Sequence, residues 1–427
     1  MVSSPIVVRP LATQKEIEQQ YIWADQAFSQ APDPENARQW SQVAITRPDF
    51  RALQLRGAFR DDTQRGGYIL GESILRIGEA RISTGCIGMV VADPEARKQG
   101  IASAMMHDAI QFAQEQGHSL LLLDGIPKFY YRFGYTDIFD VSTYAINRAA
   151  ILARPASTHT VRRATSEDAQ TIRDLYTRRL GHYTGGFERS TGVQEFLLRN
   201  RFSKNVVLLA TSPTGVVEGY LISSREPDKT QVVEVAADTW AAQLALMQEH
   251  ARLSTGGEEP ATHTYHLPPT STELYRAIDN LEVPDTSQWR HPAEEGGIRS
   301  SQYHHRFAGW MGRFVHLPTF FNALKPELQA RWQRSLANWS GELHFVIGDE
   351  SITLSIAGGE LDISTNVSSE TITFQCSPQN FIQLVFGYRP LSWVLAQHPQ
   401  ALPVAAQSAL EILFPAGDPW ISFSDWF

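Results

Sequence analysis

Apolar positions along the chain switch between a period of two and a period near 3.6, and this sets the first expectation. Ile6-Val7-Val8 is a short β-type run. Gln14 to Phe28 is helical in character and stops before Pro32-Asp33-Pro34. Tyr68 to Leu75 and Arg81 to Ala92 carry strand-like apolar segments, and Asp93-Pro94-Glu95 marks a turn. Ile101, Met105, Ala109 and Phe112 then form one stripe of a helix. Gly117 suits the position that ends it. Leu120 to Leu123 reads as a buried strand. Strand, helix and strand in alternation predict an α/β domain.

After Ala153-Arg154-Pro155-Ala156-Ser157-Thr158, which has linker composition, the pattern restarts. Val161-Arg162-Arg163-Ala164-Thr165 opens as Val8-Arg9-Pro10-Leu11-Ala12-Thr13 does, and both lead into a polar-apolar helix. Val232 to Ala237 predicts a strand and Trp240 to Leu253 a helix, so the segment reads as a diverged second copy of the first. Ser254 to Thr262 predicts a loop and His291 to Ser301 a boundary. Beyond it, Leu343-Phe345-Ile347, Ile352-Leu354-Ile356 and Ile372-Phe374-Cys376 alternate at period two. Ser377-Pro378 is an N-cap followed by Pro at N1, starting a helix through Asn380 to Phe386. The expected organisation is therefore α/β followed by α+β, in segments 1–153, 154–300 and 301–427.

Composition narrows the function. Among 427 residues, 42% are hydrophobic and 19% charged, which is globular and excludes wholesale disorder. Lys plus Arg is 37 against 46 for Asp plus Glu, a net charge of −9 that argues against a nucleic-acid partner held by phosphate neutralisation. Cys86 and Cys376 are far apart with no CxxC pair, so no disulfide framework or zinc-thiolate site is expected. Free thiols fit a reducing cytoplasm. The N-terminus has no signal-peptide pattern, and no run reaches the ~20 apolar residues of a membrane helix. His304-His305 has no metal-ligand spacing and is expected at a boundary, and His107 is expected to be exposed. No metal site is expected.

The candidate chemistry lies in Met89 to Met106, MVVADPEARKQGIASAMM. Arg97, Gly100 and Ala102 form R-x-x-G-x-A between a strand and an amphipathic helix. A tight turn into a helix N-terminus presents unpaired N–H groups and the positive dipole end, suited to a pyrophosphate. Gly100 lets backbone approach phosphate and adopt φ > 0, and Ala102 is small for access. Arg97 and Lys98 add positive charge. The plain alternative is an ordinary strand-to-helix turn. Some thirty residues on, Lys128-Phe129-Tyr130-Tyr131-Arg132-Phe133-Gly134-Tyr135 follows the buried strand.

With both blocks in place, the first segment resembles the GNAT acyltransferases. R-x-x-G-x-A looks like their acetyl-CoA pyrophosphate loop, and Tyr-x-x-x-Gly-Tyr like the block beside the thioester. A narrower resemblance spans nearly the whole chain. Two tandem GNAT-like domains, the second lacking the glycine loop, then a sterol-carrier-protein-like α+β domain, is similar to the Eis (enhanced intracellular survival) family. Phe129 to Tyr135 resembles its aromatic-Tyr-x-Arg-Phe-Gly-Tyr signature, and the chain ends in an aromatic residue, Phe427.

This resemblance implies an acetyl-CoA-dependent N-acetyltransferase acting on a primary amine of a small molecule, an aminoglycoside or a lysine. It implies trimers paired into homo-hexamers. Tyr130 takes the place of the general acid, with Tyr131 and Tyr135 nearby; a tyrosine near pKa 10 suits a thiolate leaving group. The α-carboxylate of Phe427 takes the place of the base, with Asp425 and Asp124 in reserve. Val90 and Ala92 fall where the family's strand bonds the pantetheine arm, with Arg97, Lys98, Gly100, Ile101 and Ala102 at the phosphates. Phe28 and Trp40 match aromatic positions of the substrate pocket. The sequence departs from aminoglycoside-acetylating members at Gln30 and Trp426, where acids stand. Fewer carboxylates weaken attraction for a polycation, and Asp33, Asp62 and Glu72 are the acids available to compensate. The alternative function is a lipid or ligand carrier with a vestigial loop.

Overall fold

The computed structural model describes residues 4–126, 128–225, 230–254, 262–281, 298–303 and 309–425. They divide into two compact units. The first runs to Phe139 and resumes from 309 to Gly417; the second runs from Asp140 to 303 and resumes from Asp418 to 425.

In chain order the first unit opens with β1 (Val7–Pro10), α1 (Gln14–Phe28), α2 (Pro34–Ala44), β2 (Leu55–Arg60), β3 (Thr63–Ile77) and β4 (Ala80–Ala92). It continues with α3 (Ile101–Glu115), β5 (Leu120–Gly125) and β6 (Thr136–Asp137). The second unit holds β7 (Val141–Asn147), α4 (Arg148–Leu152), β8 (Thr160–Arg163), α5 (Ala169–Arg179), α6 (Thr191–Phe196) and β9 (Asn205–Thr211). Then follow β10 (Val217–Arg225), β11 (Gln231–Ala237), α7 (Trp240–Leu253), β12 (Thr262–His266), α8 (Thr272–Asn280) and β13 (Ile298–Tyr303). The chain re-enters the first unit at β14 (Gly309–Phe314), α9 (Leu317–Arg334), β15 (Gly341–Ile347), β16 (Glu350–Ala357), β17 (Glu360–Ser364) and β18 (Ile372–Cys376). It goes on through α10 (Pro378–Val385), α11 (Leu391–Gln397) and α12 (Val404–Leu413).

Both seven-stranded sheets carry the same run of pairings. In the order β1-β2-β3-β4-β5-β14-β6, the first four strands are antiparallel, β4 and β5 are parallel, and the remainder is antiparallel. In β8-β9-β10-β11-β12-β7-β13, the one parallel pair is β11 with β12. This is mixed α/β and α+β architecture, consistent with one fold repeated along the chain. Val206, Leu208 and Ala210 of β9 pack on one face under α7, while Val207 and Leu209 pack on the other under α5. A sheet covered on both faces explains why β9 reads as a continuous apolar run.

Two strands pair outside their own chain segment. β7 and α4 precede residue 153 yet belong to the second sheet, and β14 follows residue 301 yet lies between β5 and β6. In the first unit Trp310 is 2% exposed, and Met311 packs in the core with Tyr130 and Tyr135. The remaining sheet, β17-β16-β15-β18, packs against the C-terminal helices. Its interior is filled by Phe321, Phe345, Phe374, Phe381 and Phe414, whose rings lie 4.9–6.0 Å apart. Two ties bind this region to the first sheet within the unit. Gln383 Nε2 donates to Thr136 Oγ1 and Asp137 O at 3.0 and 2.9 Å, and Glu327 accepts from Glu79 N at 2.8 Å at the β3–β4 turn.

Several local expectations change. Pro32-Asp33-Pro34 ends α1 but also starts α2. Asp33 accepts from the N–H groups of Glu35 and Asn36 at 3.0 and 3.2 Å, and Pro34 sits at N1, where its missing N–H costs nothing. The expected boundary at 291–301 gives way to β13 from Ile298, a strand made by pairing with β7 rather than by an apolar pattern. His304-His305 and most of the 254–262 loop lie outside the described residues. Cys86 and Cys376 are buried free thiols.

Candidate active site

The site begins with a break in register. Gly67 pairs with Val91 and Ile69 with Gly88, so β4 carries one residue more than β3 between these pairs. Met89 lies within that bulge at φ +50. A bulge twists a strand and re-aims its groups. The parallel pairing of β4 with β5 runs only from Thr84–Leu120 to Ile87–Leu123. Beyond it, Gly88 to Ala92 pair with β3 alone, leaving a strand edge open toward β5. Val90 and Ala92 are half-buried on this edge.

β4 leads into the glycine turn. Lys98 and Gly100 both take left-handed backbone, φ +62 and +85. Gly100 is the N-cap of α3, and no side chain caps the helix. The first-turn N–H groups and the dipole are therefore presented without a built-in acceptor. Ile101 is buried and anchors the turn. A Cβ on Gly66 would lie 2.9 Å from Ile101 Cγ2 and 2.6 Å from Val91 O, so glycine is what lets the helix start seat against β3. Arg56 clamps Asp108 of α3 at 2.6 and 2.8 Å, and Tyr68 donates to the same carboxylate at 2.6 Å. Arg65 Nη1 to Asp93 (2.9 Å) and Arg60 Nη2 to Gln99 O (3.0 Å) brace the loop from β2 and β3. Ala102 is half-buried. Arg97 and Lys98 are exposed and meet no carboxylate among the described residues.

Tyr130 opens a 3₁₀ turn that Gly134 closes at φ +86. Its ring meets Phe129 edge-on at 4.9 Å and Tyr135 at 6.2 Å. The three tyrosines separate clearly. Tyr131 donates its hydroxyl to Asp137. Tyr135 is wholly buried, and burial raises its pKa. Tyr130 is 6% exposed, and its pKa is pushed up to about 12, first by burial and then by the charge of Asp124. Such a hydroxyl stays protonated at neutral pH, as a proton donor must.

The other expected residues are dispersed. Phe28 ends α1 at 64% exposure, and Trp40 is half-buried on α2; α1 and α2 pack together, but no ring contact joins the two side chains. Of the acids available to compensate, Asp33 caps α2 and Glu72 pairs with Arg51, while Asp62 sits at φ +57 in the β2–β3 turn. Asp124 is exposed at the end of β5. Asp425 lies in the second unit, bound by Arg189 Nε at 2.7 Å and Tyr176 at 3.1 Å, and burial raises its pKa. A carboxylate enclosed by these two partners is closed to a substrate ammonium. Phe427 lies outside the described residues.

Residues 8–138 match the acetyltransferase (GNAT) domain family. The first unit therefore carries a GNAT acetyltransferase domain over these residues. Solved structures share the fold over the full length. A probable N-acyltransferase from Enterococcus faecalis is 19% identical with a TM-score of 0.75, covering 99% of this chain and 100% of its own. A GCN5-related N-acetyltransferase from Kribbella flavida is 18% identical at 0.71, covering 100% and 99%. Eis1 from Mycobacterium abscessus is 15% identical at 0.64, covering 99% and 100%. The architecture is thus an Eis-like GNAT fold. No curated protein sequence matches the chain.

Against this GNAT frame, the loop from Arg97 to Ala102, the open β4 edge and Tyr130 all fall in the first unit. Residue-level reading missed Arg132, which lies inside the tyrosine motif, and Met311, which reaches the core from β14. The spacing of Phe129, Arg132 and Phe133 on a tight turn was a usable signal for the first. No local pattern announces the second. No group of three or more His, Cys, Asp or Glu among the described residues could hold a metal ion, and no helix among them is long and apolar enough to cross a membrane.

Proposed function

We propose that this GNAT protein is an acetyl-CoA-dependent N-acetyltransferase that acetylates a primary amine by direct attack on the thioester. The observation that carries it is the uncapped start of α3, with left-handed Gly100, beside a β4 edge paired on one side only. That combination fits the acyl donor: N–H groups and the positive charge of Arg97 and Lys98 for phosphate, with Ile101 and Ala102 keeping the turn close, and the backbone of Val90 and Ala92 for the pantetheine amides. Acetyl-CoA supplies the activated thioester. A strand N–H would steady the negative charge developing on the carbonyl oxygen. The nitrogen bonds to the acyl carbon as the C–S bond breaks, and Tyr130 gives its proton to the departing thiolate. The Phe427 α-carboxylate is our proposed base, taking the ammonium proton directly or through water.

Phe28 and Trp40 are proposed to line the acceptor site. With Asp33 and Glu72 already engaged, a singly charged small amine or a lysine side chain fits better than a polycationic aminoglycoside. We read the segments 1–153, 154–300 and 301–427 as catalytic GNAT, degenerate GNAT and sterol-carrier-like modules of a cytoplasmic homo-oligomer, with a hexamer expected by light scattering.

The test is thiol release from acetyl-CoA with a panel of polyamines, aminoglycosides and lysine peptides, repeated on Tyr130→Phe and on a chain lacking Phe427. Loss of roughly 100-fold or more in kcat in both variants supports the mechanism. An unaffected deletion variant moves the base to Asp124. Wild-type protein that binds no acetyl-CoA overturns the reading.

A further inference from the structure

Arg132 stands out among the cations of this acidic chain. Its guanidinium carbon lies 4.4 Å from the Phe129 ring centroid and 4.8 Å from that of Phe133. Phe133 is held in turn by His107 at 5.4 Å, edge to face. Arg132 Nη2 donates to Ser103 Oγ at 3.2 Å, and Ser103 is the third residue of α3. No carboxylate among the described residues pairs with it, and the side chain is exposed. Other arginines are paired with carboxylates, as Arg9 is with Glu16, Arg47 with Asp49 and Arg178 with Asp238.

The tyrosine motif thus sends one charged group back across to the first turn of the helix whose N-terminus is uncapped. Arg97 and Lys98 approach that turn from the loop, and Arg132 approaches it from the opposite element. A guanidinium stacked on two aromatic rings loses little freedom when it binds, and its planar fork matches a phosphoryl group. Its present partner, a neutral hydroxyl on the surface, is weak and readily exchanged.

We propose that Arg132 is a phosphate-binding residue for the nucleotide end of the acyl donor, exchanging Ser103 for phosphoryl oxygens when the donor enters. The inference rests on the acetyl-CoA reading above. It gives the R in the tyrosine motif a role apart from the chemistry at Tyr130: it selects a phosphorylated donor over a bare pantetheine thioester.

The test compares wild type, Arg132→Gln and Arg132→Lys on acetyl-CoA, 3′-dephospho-acetyl-CoA and S-acetylpantetheine, reading KM and kcat separately. Calorimetric CoA binding and thermal unfolding are followed alongside. The expected result is a KM for acetyl-CoA raised roughly tenfold in Arg132→Gln with kcat and unfolding unchanged, and little change on S-acetylpantetheine. Arg132→Lys, which keeps the charge, should recover most of the loss. If the penalty vanishes on the 3′-dephospho donor, the 3′-phosphate is the group read. If it persists there, the pyrophosphate is; either supports the proposal. Equal penalties on all three donors would make Arg132 a prop for Tyr130 and overturn it, as would an unchanged KM for acetyl-CoA. Wild-type protein that binds CoA while Arg132→Gln binds it equally well sinks this inference alone. Wild type that fails to bind CoA sinks the function with it.

Discussion

The two seven-stranded sheets share one order of pairings, yet the helix that follows the fourth strand begins differently in each. α3 starts at left-handed Gly100 with no side-chain cap, in a loop that carries Arg97 and Lys98. α7 starts at Thr239, whose hydroxyl caps Ala242 N at 3.2 Å and donates to Glu218 at 2.9 Å, and the preceding Asp238 is clamped by Arg178 at 2.5 Å. The first helix end is open and positive. The second is satisfied by its own chain and ringed by carboxylates, which would repel an anion.

The strand edges differ in the same sense. β11 pairs with β12 only at Gln231 and Val232, and the stretch beyond is filled by the chain's own segment 420–425. Ser422 donates to Glu234, and the Phe423 ring lies 3.7 Å from that of His266. Arg189 binds Glu234 at 2.7 and 3.0 Å and also Asp425, inside a cluster of largely buried side chains. Burial opposes the charge on Glu234, but Arg189 holds its carboxyl below the usual range. One copy of the fold leaves its helix start and strand edge open; the other fills both with its own chain.

The sharpest way to break this contrast is to remove the centre of the second cluster. Arg189→Met leaves Glu234 and Asp425 buried without their cation, and urea unfolding should show a loss of about 3–5 kcal/mol. A loss under about 1 kcal/mol would mean the cluster is not the support described here.

Next in size is closing the open helix end. Gly100→Asp places a carboxylate where phosphate is proposed to sit, and the KM for acetyl-CoA should rise roughly 100-fold, about 2.7 kcal/mol. Gly100→Asn, of similar shape and tolerant of left-handed backbone, should cost much less. Equal effects would assign the loss to shape rather than charge.

Acid should weaken the second unit more than the first. Burial lowers His263 and His266 to about 3 in the second unit and His118 to about 4 in the first. These folded values lie below the ordinary 6.5, so the unfolded chain takes up protons first. Stability is complete above about pH 6.5 and falls as pH drops toward 4 and 3, by up to about 1.4 kcal/mol per unit for each group. Hydrogen exchange at pH 7 and pH 5, resolved by peptide, should show protection lost first in the second unit.

The smallest effect is at the second helix end. Thr239→Ala removes a cap worth about 1 kcal/mol and should lower the unfolding midpoint while leaving the KM for acetyl-CoA unchanged. A changed KM would mean that this end serves the donor after all.

Much of this was readable in the residues. The stripe Ile101, Met105, Ala109 and Phe112 places α3 because burying one face of a helix demands that spacing. Gly100 announces its left-handed turn because few other residues tolerate one. α7 spans Trp240–Leu253 as its pattern predicts. Local rules also gave the strand before each helix and the absence of a glycine turn in the second copy.

Sequence alone therefore determined the elements and the open glycine turn, since helix period, capping and glycine conformation act over a few residues. Tertiary structure alone decided which strand lies beside which. That β14 completes the first sheet, that β7 completes the second and that 420–425 fills the gap beside β11 depend on pairings between residues far apart in the chain. It also set the tyrosines apart. Tyr131 meets Asp137, Tyr135 is sealed in the core, and Tyr130 keeps 6% of its surface exposed. Burial and distant partners set those differences, and neither is written in a motif.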